Sequence, residues 1–264
     1  MSSSSSTSST SSTSSSIYFP DPQRSLRWKE NRRPISGTTL AKFLGFCSFT
    51  RPSDAYTESI TGTKRPIVDT RAIDHGNKYE KVSECVFLEW LKTNRPDYAD
   101  QIYTEPGYDV PDYRTNRLFT EERDVLRFGV SLDVRGSIID CEIKNPISLS
   151  SYQRYYEHIF SPSYFLQVQW AMAIRNRSCM YFIATAYEKD GKLLDHCIWM
   201  VEFAEDFFNL LILPAARRIA DHLLNRNTDY RIENEESPWI NEKGSYTQST
   251  DYSSLFHRYC SRIL

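Results

Sequence analysis

Three side chains with chemical potential lie within one short stretch of this sequence: Asp133, Glu142 and Lys144. Alternate residues of a strand project to the same face, so Glu142 and Lys144 would point the same way. An antiparallel hairpin with its midpoint between residues 137 and 138 places Asp133 opposite Glu142, and the turn-like dipeptide Gly136-Ser137 lies beside that midpoint. The spacing therefore predicts that two carboxylates and a lysine converge on one point.

Such a trio is suited to metal-assisted hydrolysis of a phosphodiester. Carboxylate oxygens are ligands that Mg²⁺ and Mn²⁺ prefer, and either cation lowers the pKa of a water bound to it. The lysine could orient that water and stabilise the negative charge that develops on the phosphate. A strand that contains Glu-x-Lys is also common by chance, and the alternative is an exposed hairpin with a cross-strand charge pair.

The elements around this stretch predict an α/β (α+β) fold. Tyr79, Val82, Val86 and Trp90 recur at helical spacing and indicate one long helix. The predicted elements are a helix capped by Thr38 or Thr39 and running through Phe46, a helix over 71–93, strands near 127–134 and 138–145, a helix over 161–176, strands over 179–188 and 193–203, a helix over 204–225 and a last helix within 252–264. This order predicts a mixed central β-sheet flanked by α-helices.

Composition divides the chain into a leader and one domain. Residues 1–16 are almost purely Ser and Thr, so they cannot bury apolar surface and are expected to be disordered. Residues 17–264 are expected to form a single domain, with a core of about residues 30–226 and a C-terminal extension over 227–264. No apolar run reaches the ~18 residues of a membrane span, so no membrane partner is expected.

Cysteine and histidine spacing disfavours a soft-metal site. The 6 cysteines are scattered without a Cys-x-x-Cys pair, and the 5 histidines show no ligand spacing. This pattern argues against zinc or iron–sulfur sites and for a reducing intracellular compartment, either cytoplasm or nucleus, rather than secretion.

Charge is distributed unevenly along the chain. The net charge is only −2, but nine lysines and arginines stand against four acidic residues between Ile17 and Arg65. A basic entrance that leads to an acidic metal centre fits a nuclease, because phosphate affinity is local. A solvated basic arm is the alternative interpretation.

Five short motifs extend the trio into a pattern. They are Ile35-Ser-Gly-Thr-Thr39, Gly76-x-x-x-Glu80, Ser131-x-Asp133, Glu142-x-Lys144 and Tyr164-x-x-Gln167-Val-Gln169. In this order and spacing they resemble the lambda-exonuclease / YqaJ-like viral recombinase family, a branch of the PD-(D/E)XK nucleases, over about residues 30–190. The resemblance implies a restriction-endonuclease-like core. It also implies a metal-dependent DNA exonuclease that degrades one strand of a duplex from 5′ to 3′, in recombination, repair or viral genome processing.

The resemblance also implies residue roles at the metal. Asp133, Glu142 and the carbonyl oxygen of Ile143 would hold Mg²⁺ (or Mn²⁺), as one or two ions, with Glu80 assisting from the long helix. Lys144 and Gln167 would orient the attacking water. As a general base Lys144 needs a lowered pKa, which predicts activity that rises toward alkaline pH. Without the resemblance, Glu80 reads as an ordinary exposed helical glutamate.

A second set of residues would bind the DNA, and in particular a 5′-phosphate. The resemblance places Ser131 near the phosphate, with Tyr164 on the helix of Gln167, and the amides at a helix N-terminus suit a terminal phosphate. Either Arg32 or Arg33 supplies the positive charge, and the sequence does not choose between them. The remaining residues of this set are Ser36, Thr38 and Thr39. Many family members read Ser-Pro-Asp-Gly where this chain has Ser131-Leu-Asp-Val134.

The implied partners are double-stranded DNA ends and a single-strand annealing protein, and a homotrimer is known in the family. Two alternatives stay open on the sequence alone. One is a structure-specific endonuclease of the same superfamily, and the other is a non-catalytic DNA-binding scaffold.

Overall fold

A computed structural model of the chain describes residues 16–21, 25–47, 50–63, 69–103, 107–156, 161–225 and 257–264. The disorder expected for residues 1–15 lies outside the described residues. Ser16 was expected in the leader, but it is the first residue of strand β1 (Ser16–Phe19), where its hydroxyl donates to Asp109 Oδ1 over 2.9 Å. A serine with a buried acceptor can enter a strand, so the leader is one residue shorter than expected.

The remaining elements alternate helices with short strands. The helices are α1 (Leu26–Asn31), α2 (Gly37–Phe43), α3 (Pro52–Thr61), α4 (Arg71–Asn94), α5 (Pro96–Ala99), α6 (Asp124–Arg127), α7 (Leu149–Tyr156), α8 (Pro162–Arg175), α9 (Glu205–Phe207) and α10 (Leu213–Leu224). The other strands are β2 (Ile102–Tyr103), β3 (Tyr108–Pro111), β4 (Arg135–Gly136), β5 (Cys141–Lys144), β6 (Cys179–Tyr187), β7 (Leu193–Glu202) and β8 (Cys260–Arg262). None of the helices in these ranges has the length and hydropathy of a membrane span.

The main sheet has the order β5-β6-β7-β8 and is mixed, which confirms the predicted fold class. β5 runs parallel to β6, whereas β6–β7 and β7–β8 are antiparallel. The strands β1 and β3 form a second sheet, and β2 and β4 form a third.

Strand β6 separates the two layers of the hydrophobic core. Tyr181 and Ile183 belong to the cluster that includes Phe87 of α4, whereas Phe182 belongs to the cluster that includes Trp170 of α8. Successive side chains of a strand point to opposite faces, so a strand covered on both faces is apolar throughout. The long helix α4 and the helix α8 therefore lie on opposite faces of β6.

Two predicted helices differ from the observed ones. Ser36, not Thr38 or Thr39, caps α2, because its hydroxyl accepts from the amide of Thr39, and the helix ends at Phe43. In α4 the predicted face is displaced, since Val82 is 46% exposed while Phe87 and Leu91 are fully buried. The bounds of α4 nevertheless match the prediction.

The segment before β5 is irregular where a strand was predicted over 127–134. Its backbone pairs with three different partners: Phe128 bridges Ile35, Val130 bridges Asp109, and Val134 bridges Cys141. Because no single partner follows it, only the two residues of β4 form a strand, and they pair with β2.

The C-terminal helices were predicted too regularly. A π-helical turn, Phe208–Ile212, separates α9 from α10, since Pro214 has no N–H to give to a carbonyl one turn earlier. The predicted last helix is wrong for Cys260–Arg262, which form β8 because β7 offers an open edge there. Residues 252–256 lie outside the described residues.

Candidate active site

The hairpin register predicted from the sequence is confirmed. Val134 and Cys141 exchange both backbone hydrogen bonds, with N···O distances of 3.0 and 2.9 Å, so Asp133 and Glu142 are the next opposed pair. Asp133 Oδ2 also accepts the amide proton of Ile143 over 2.7 Å. The carboxylate of Asp133 is therefore fixed against β5 by the backbone itself.

Lys144 contacts Glu142 and the backbone of β5. Its Nζ donates to Glu142 Oε1 and to the carbonyl oxygen of Ile143, the latter over 3.1 Å. The same Nζ lies 5.0 Å from the centroid of the Tyr164 ring on α8, within cation–π range. The side chains of Lys144 and Glu142 are 21% and 12% exposed, so the pair is largely removed from water.

The charges of Asp133, Glu142 and Lys144 favour the binding of an additional cation beside them. Burial and the neighbouring Glu142 carboxylate raise the pKa of Asp133 to about 8, because two negative charges compete for the compensation that one lysine supplies. Burial alone would lower the pKa of Lys144, but Glu142 and Asp133 outweigh it and hold that pKa above its usual value. This direction is opposite to the lowered pKa predicted for a lysine base. Here Lys144 is a protonated donor.

A cleft of about 300 Å³ opens over the trio. Asp133, Ile143 and Lys144 line it from the hairpin, Tyr164 lines it from α8, and Glu80 lines it from α4. The charge of Glu80 contributes to the raised pKa of Asp133. Across the described ranges no three His, Cys, Asp or Glu side chains gather as one metal-binding group. Asp133, Ile143 and Glu80 thus border the cleft, and Lys144 holds Glu142 beside them.

A smaller cavity of about 90 Å³ gathers most of the predicted DNA-binding residues. The members of that predicted set that line it are Arg32, Ser36, Thr38 and Ser131, and Glu142 and Gln167 line it as well. Glu142 thus lines this cavity while its hydrogen-bond partner Lys144 lines the cleft, and the two spaces meet at that pair. Gln167 lies on the side of the smaller cavity, whereas Tyr164 lies in the cleft.

The choice between the two candidate arginines comes from their contacts. Arg33 uses its Nε to donate to the carbonyl oxygen of Val125 over 2.7 Å, and its guanidinium lies 5.8 Å from the ring centroid of Phe19. Arg33 is therefore directed away from the cavity that Arg32 lines. Thr39 also lies outside that cavity's lining, and its hydroxyl is hydrogen-bonded to that of Ser36 over 2.9 Å.

Sequence reasoning missed a polar network beneath the cleft. Asn145, the residue after Lys144, donates from Nδ2 to the carbonyl oxygen of Gly76 on α4 over 3.1 Å. Its Oδ1 accepts from the hydroxyls of Ser83 and Thr185, both of which are fully buried. The network ties the α4 turn before Glu80 to the end of β5. Its one visible signal in the sequence was an asparagine directly after Lys144.

Replacing Asn145 with alanine is expected to lower nuclease activity about tenfold and the free energy of unfolding by about 1–3 kcal/mol, because Ser83 and Thr185 lose a buried acceptor. Steady-state kinetics and urea unfolding measure the two effects. Asn94→Ala is the matched control, since Asn94 is an exposed residue that donates only to its own helix at Trp90 O. Unchanged activity in Asn145→Ala would show that the network does not position the site.

Comparisons with known proteins agree with this geometry. The family model described as the YqaJ-like viral recombinase domain matches residues 27–180. Among solved structures, the alkaline exonuclease LHK-Exo from Laribacter hongkongensis is similar at 17% identity and a TM-score of 0.53, covering 76% of this chain and 94% of that one. The same enzyme in complex with dAMP gives 18% identity and a TM-score of 0.56 over the same shares. No curated protein matches the chain by sequence.

The family match spans more than half of the chain and contains the trio on the β5 hairpin, the α4 glutamate and the residues around the smaller cavity. The structural likeness independently gives the fold. The chain belongs to the family of the YqaJ-like viral recombinase domain, and it has the fold of the alkaline exonuclease.

Proposed function

We propose that this protein is a Mg²⁺- or Mn²⁺-dependent deoxyribonuclease that degrades one strand of duplex DNA from a 5′-phosphorylated end. The observation that carries the proposal is the Asp133–Glu142–Lys144 trio at the junction of two cavities. One cavity offers carboxylates to a cation, and the other offers Arg32 and hydroxyl groups to a phosphate.

The residues present fit a hard divalent cation. Asp133, Glu142 and the carbonyl oxygen of Ile143 would hold it, and the pKa of Asp133, which burial and Glu142 raise, supports a site that favours added positive charge. Glu80 would act from across the cleft on a second ion or on a bound water. When bound, the cation would lower the pKa of the attacking water and offset charge on the phosphate.

The protein's own residues supply positioning and charge. Lys144, held protonated between Glu142 and Tyr164, donates to the negative charge that grows on the scissile phosphate. Gln167 orients the phosphate from the smaller cavity, where Ser36 and Ser131 present hydroxyls to a terminal phosphate. The two cavities together would place the first phosphodiester of a bound end beside the trio.

The proposal predicts which DNA is cut. Purified protein with Mg²⁺ is expected to release mononucleotides from a 5′-phosphorylated linear duplex and to leave a closed circle intact, because only the linear duplex has an end for the smaller cavity. Omitting the metal, or replacing Asp133 with asparagine, should abolish release, as measured by acid-soluble label.

The other outcomes each have a meaning. Nicking of the closed circle would contradict the dependence on an end and make the protein an endonuclease. Binding of duplex without metal-dependent product between pH 7 and 9 would contradict catalysis and leave a DNA-binding scaffold. Cleavage of the linear duplex without a divalent cation would contradict the metal site.

A further inference from the structure

Trp28 lines the smaller cavity together with Arg32, four residues along the chain. Arg32 is the C-cap residue that follows α1, and its guanidinium carbon lies 5.2 Å from the centroid of the Trp28 ring. This distance is a cation–π contact. The indole face is therefore the surface on which the cavity's arginine rests.

The tryptophan ring is itself held firmly. Its edge packs on Tyr108 with ring centroids 6.4 Å apart at an interplanar angle of 82°, and Tyr108 is 1% exposed. The Tyr108 hydroxyl accepts the amide proton of Arg33 over 2.8 Å. Ser25, the N-cap of α1, accepts the Trp28 amide proton over 3.1 Å. The contacts form a chain from the core through Tyr108 and Trp28 to Arg32.

The Trp28 ring, rather than a carboxylate among the described residues, holds the Arg32 guanidinium. In the ranges that the structure describes, no acidic side chain forms an ion pair with Arg32, and the residue is exposed. A free arginine side chain samples many rotamers, and ordering it on ligand binding costs affinity. A ring that holds the guanidinium beforehand reduces that cost.

We propose that Trp28 is a positioning residue that holds Arg32 over the smaller cavity and thereby sets the preference for a 5′-phosphate over a 5′-hydroxyl end. The inference rests on the proposed function, in which that cavity receives the terminal phosphate. The indole nitrogen adds nothing to this role: Nε1 is buried and has no acceptor in the described part of the chain. Phenylalanine therefore keeps the ring face that Arg32 needs without losing a hydrogen bond.

The experiment compares four full-length variants, Trp28→Leu, Trp28→Phe, Arg32→Ala and Trp28→Leu/Arg32→Ala. The readout is the ratio of kcat/KM on 5′-phosphorylated duplex to kcat/KM on 5′-hydroxyl duplex. Trp28→Leu is expected to lower that ratio about threefold to tenfold, through a higher KM on phosphorylated ends, whereas Trp28→Phe stays within about twofold of the parent. In Trp28→Leu, kcat/KM on the 5′-hydroxyl duplex is expected to fall less than kcat/KM on the 5′-phosphorylated duplex.

The double variant tests whether Trp28 acts through Arg32. If it does, Trp28→Leu has no further effect on the ratio once Arg32 is alanine. A Trp28→Leu ratio equal to that of the parent would overturn the inference, and so would equal losses on both substrates, since a purely structural role weakens both alike. Arg32→Ala distinguishes a failure of the inference about Trp28 from a failure of the proposed phosphate site. If it lowers the ratio while Trp28→Leu does not, only the inference fails. If Arg32→Ala leaves the ratio unchanged, the assignment of the cavity to the terminal phosphate fails as well.

Discussion

Lys144→Met is expected to reduce the single-turnover rate of DNA cleavage by about 100- to 1,000-fold, because methionine keeps the stem and removes the positive charge from the cleft. This reduction in rate is the size expected when an active site loses one preorganised hydrogen-bond donor that stabilises a developing negative charge. The charge matters here since the pKa of Lys144 lies above its usual value, so the ammonium persists throughout the neutral and mildly alkaline range.

Single-turnover kinetics separate this effect from binding and product release. Lys92→Met is the matched control, because Lys92 is an exposed lysine in the last turn of α4, at the opposite end of that helix from the cleft. Its rate should equal that of the parent. A Lys144→Met enzyme that keeps more than about a tenth of the parent rate would contradict the role of Lys144, since a single donor is worth more than that.

Arg175→Met is expected to cost about 3–5 kcal/mol of unfolding free energy, because it removes one partner of a buried ion-pair network. Arg175 is 5% exposed at the end of α8, where it pairs with Asp140 and Asp109 and donates to the carbonyl oxygen of Gly136 over 2.6 Å. Removing it leaves two carboxylates that are 1% exposed without this partner. Urea unfolding at constant m value measures the change.

The matched control is another arginine–aspartate pair. Arg114 is 67% exposed and pairs with Asp112 at 3.0 Å, so Arg114→Met should cost less than about 1 kcal/mol. An equal loss of unfolding free energy in Arg175→Met and Arg114→Met would contradict the view that the Arg175 network stabilises the fold because it is buried.

The effect of Arg175→Met should also depend on pH. Burial alone would raise the pKa of Asp140, but Arg175 and Arg177 outweigh it and hold that pKa below its usual value of 3.8. A depressed folded-state pKa contributes stability that is present above the usual value and is lost as the pH falls through the folded-state value. The stability deficit of the variant should therefore shrink as the pH falls below about 4, because Asp140 becomes protonated in both proteins.

The sequence by itself determined how the three residues of the proposed active site are arranged. Asp133, Glu142 and Lys144 are close along the chain, and the alternation of a strand with one turn dipeptide is sufficient to oppose them. The bounds of α4 and α8 were also predictable, because helical periodicity and capping are local. The family's motifs extended this local information to Glu80 and Gln167.

Only the tertiary structure decided which groups share a cavity. It directs Arg33 away and leaves Arg32 over Trp28, and it brings Asn145 onto α4. It also determines the charge state of Lys144. Burial lowers the pKa of this lysine, but two neighbouring carboxylates raise it by more. These outcomes depend on contacts between segments distant in the sequence and on how far each group is buried from water. The spacing of residues along the chain predicts neither.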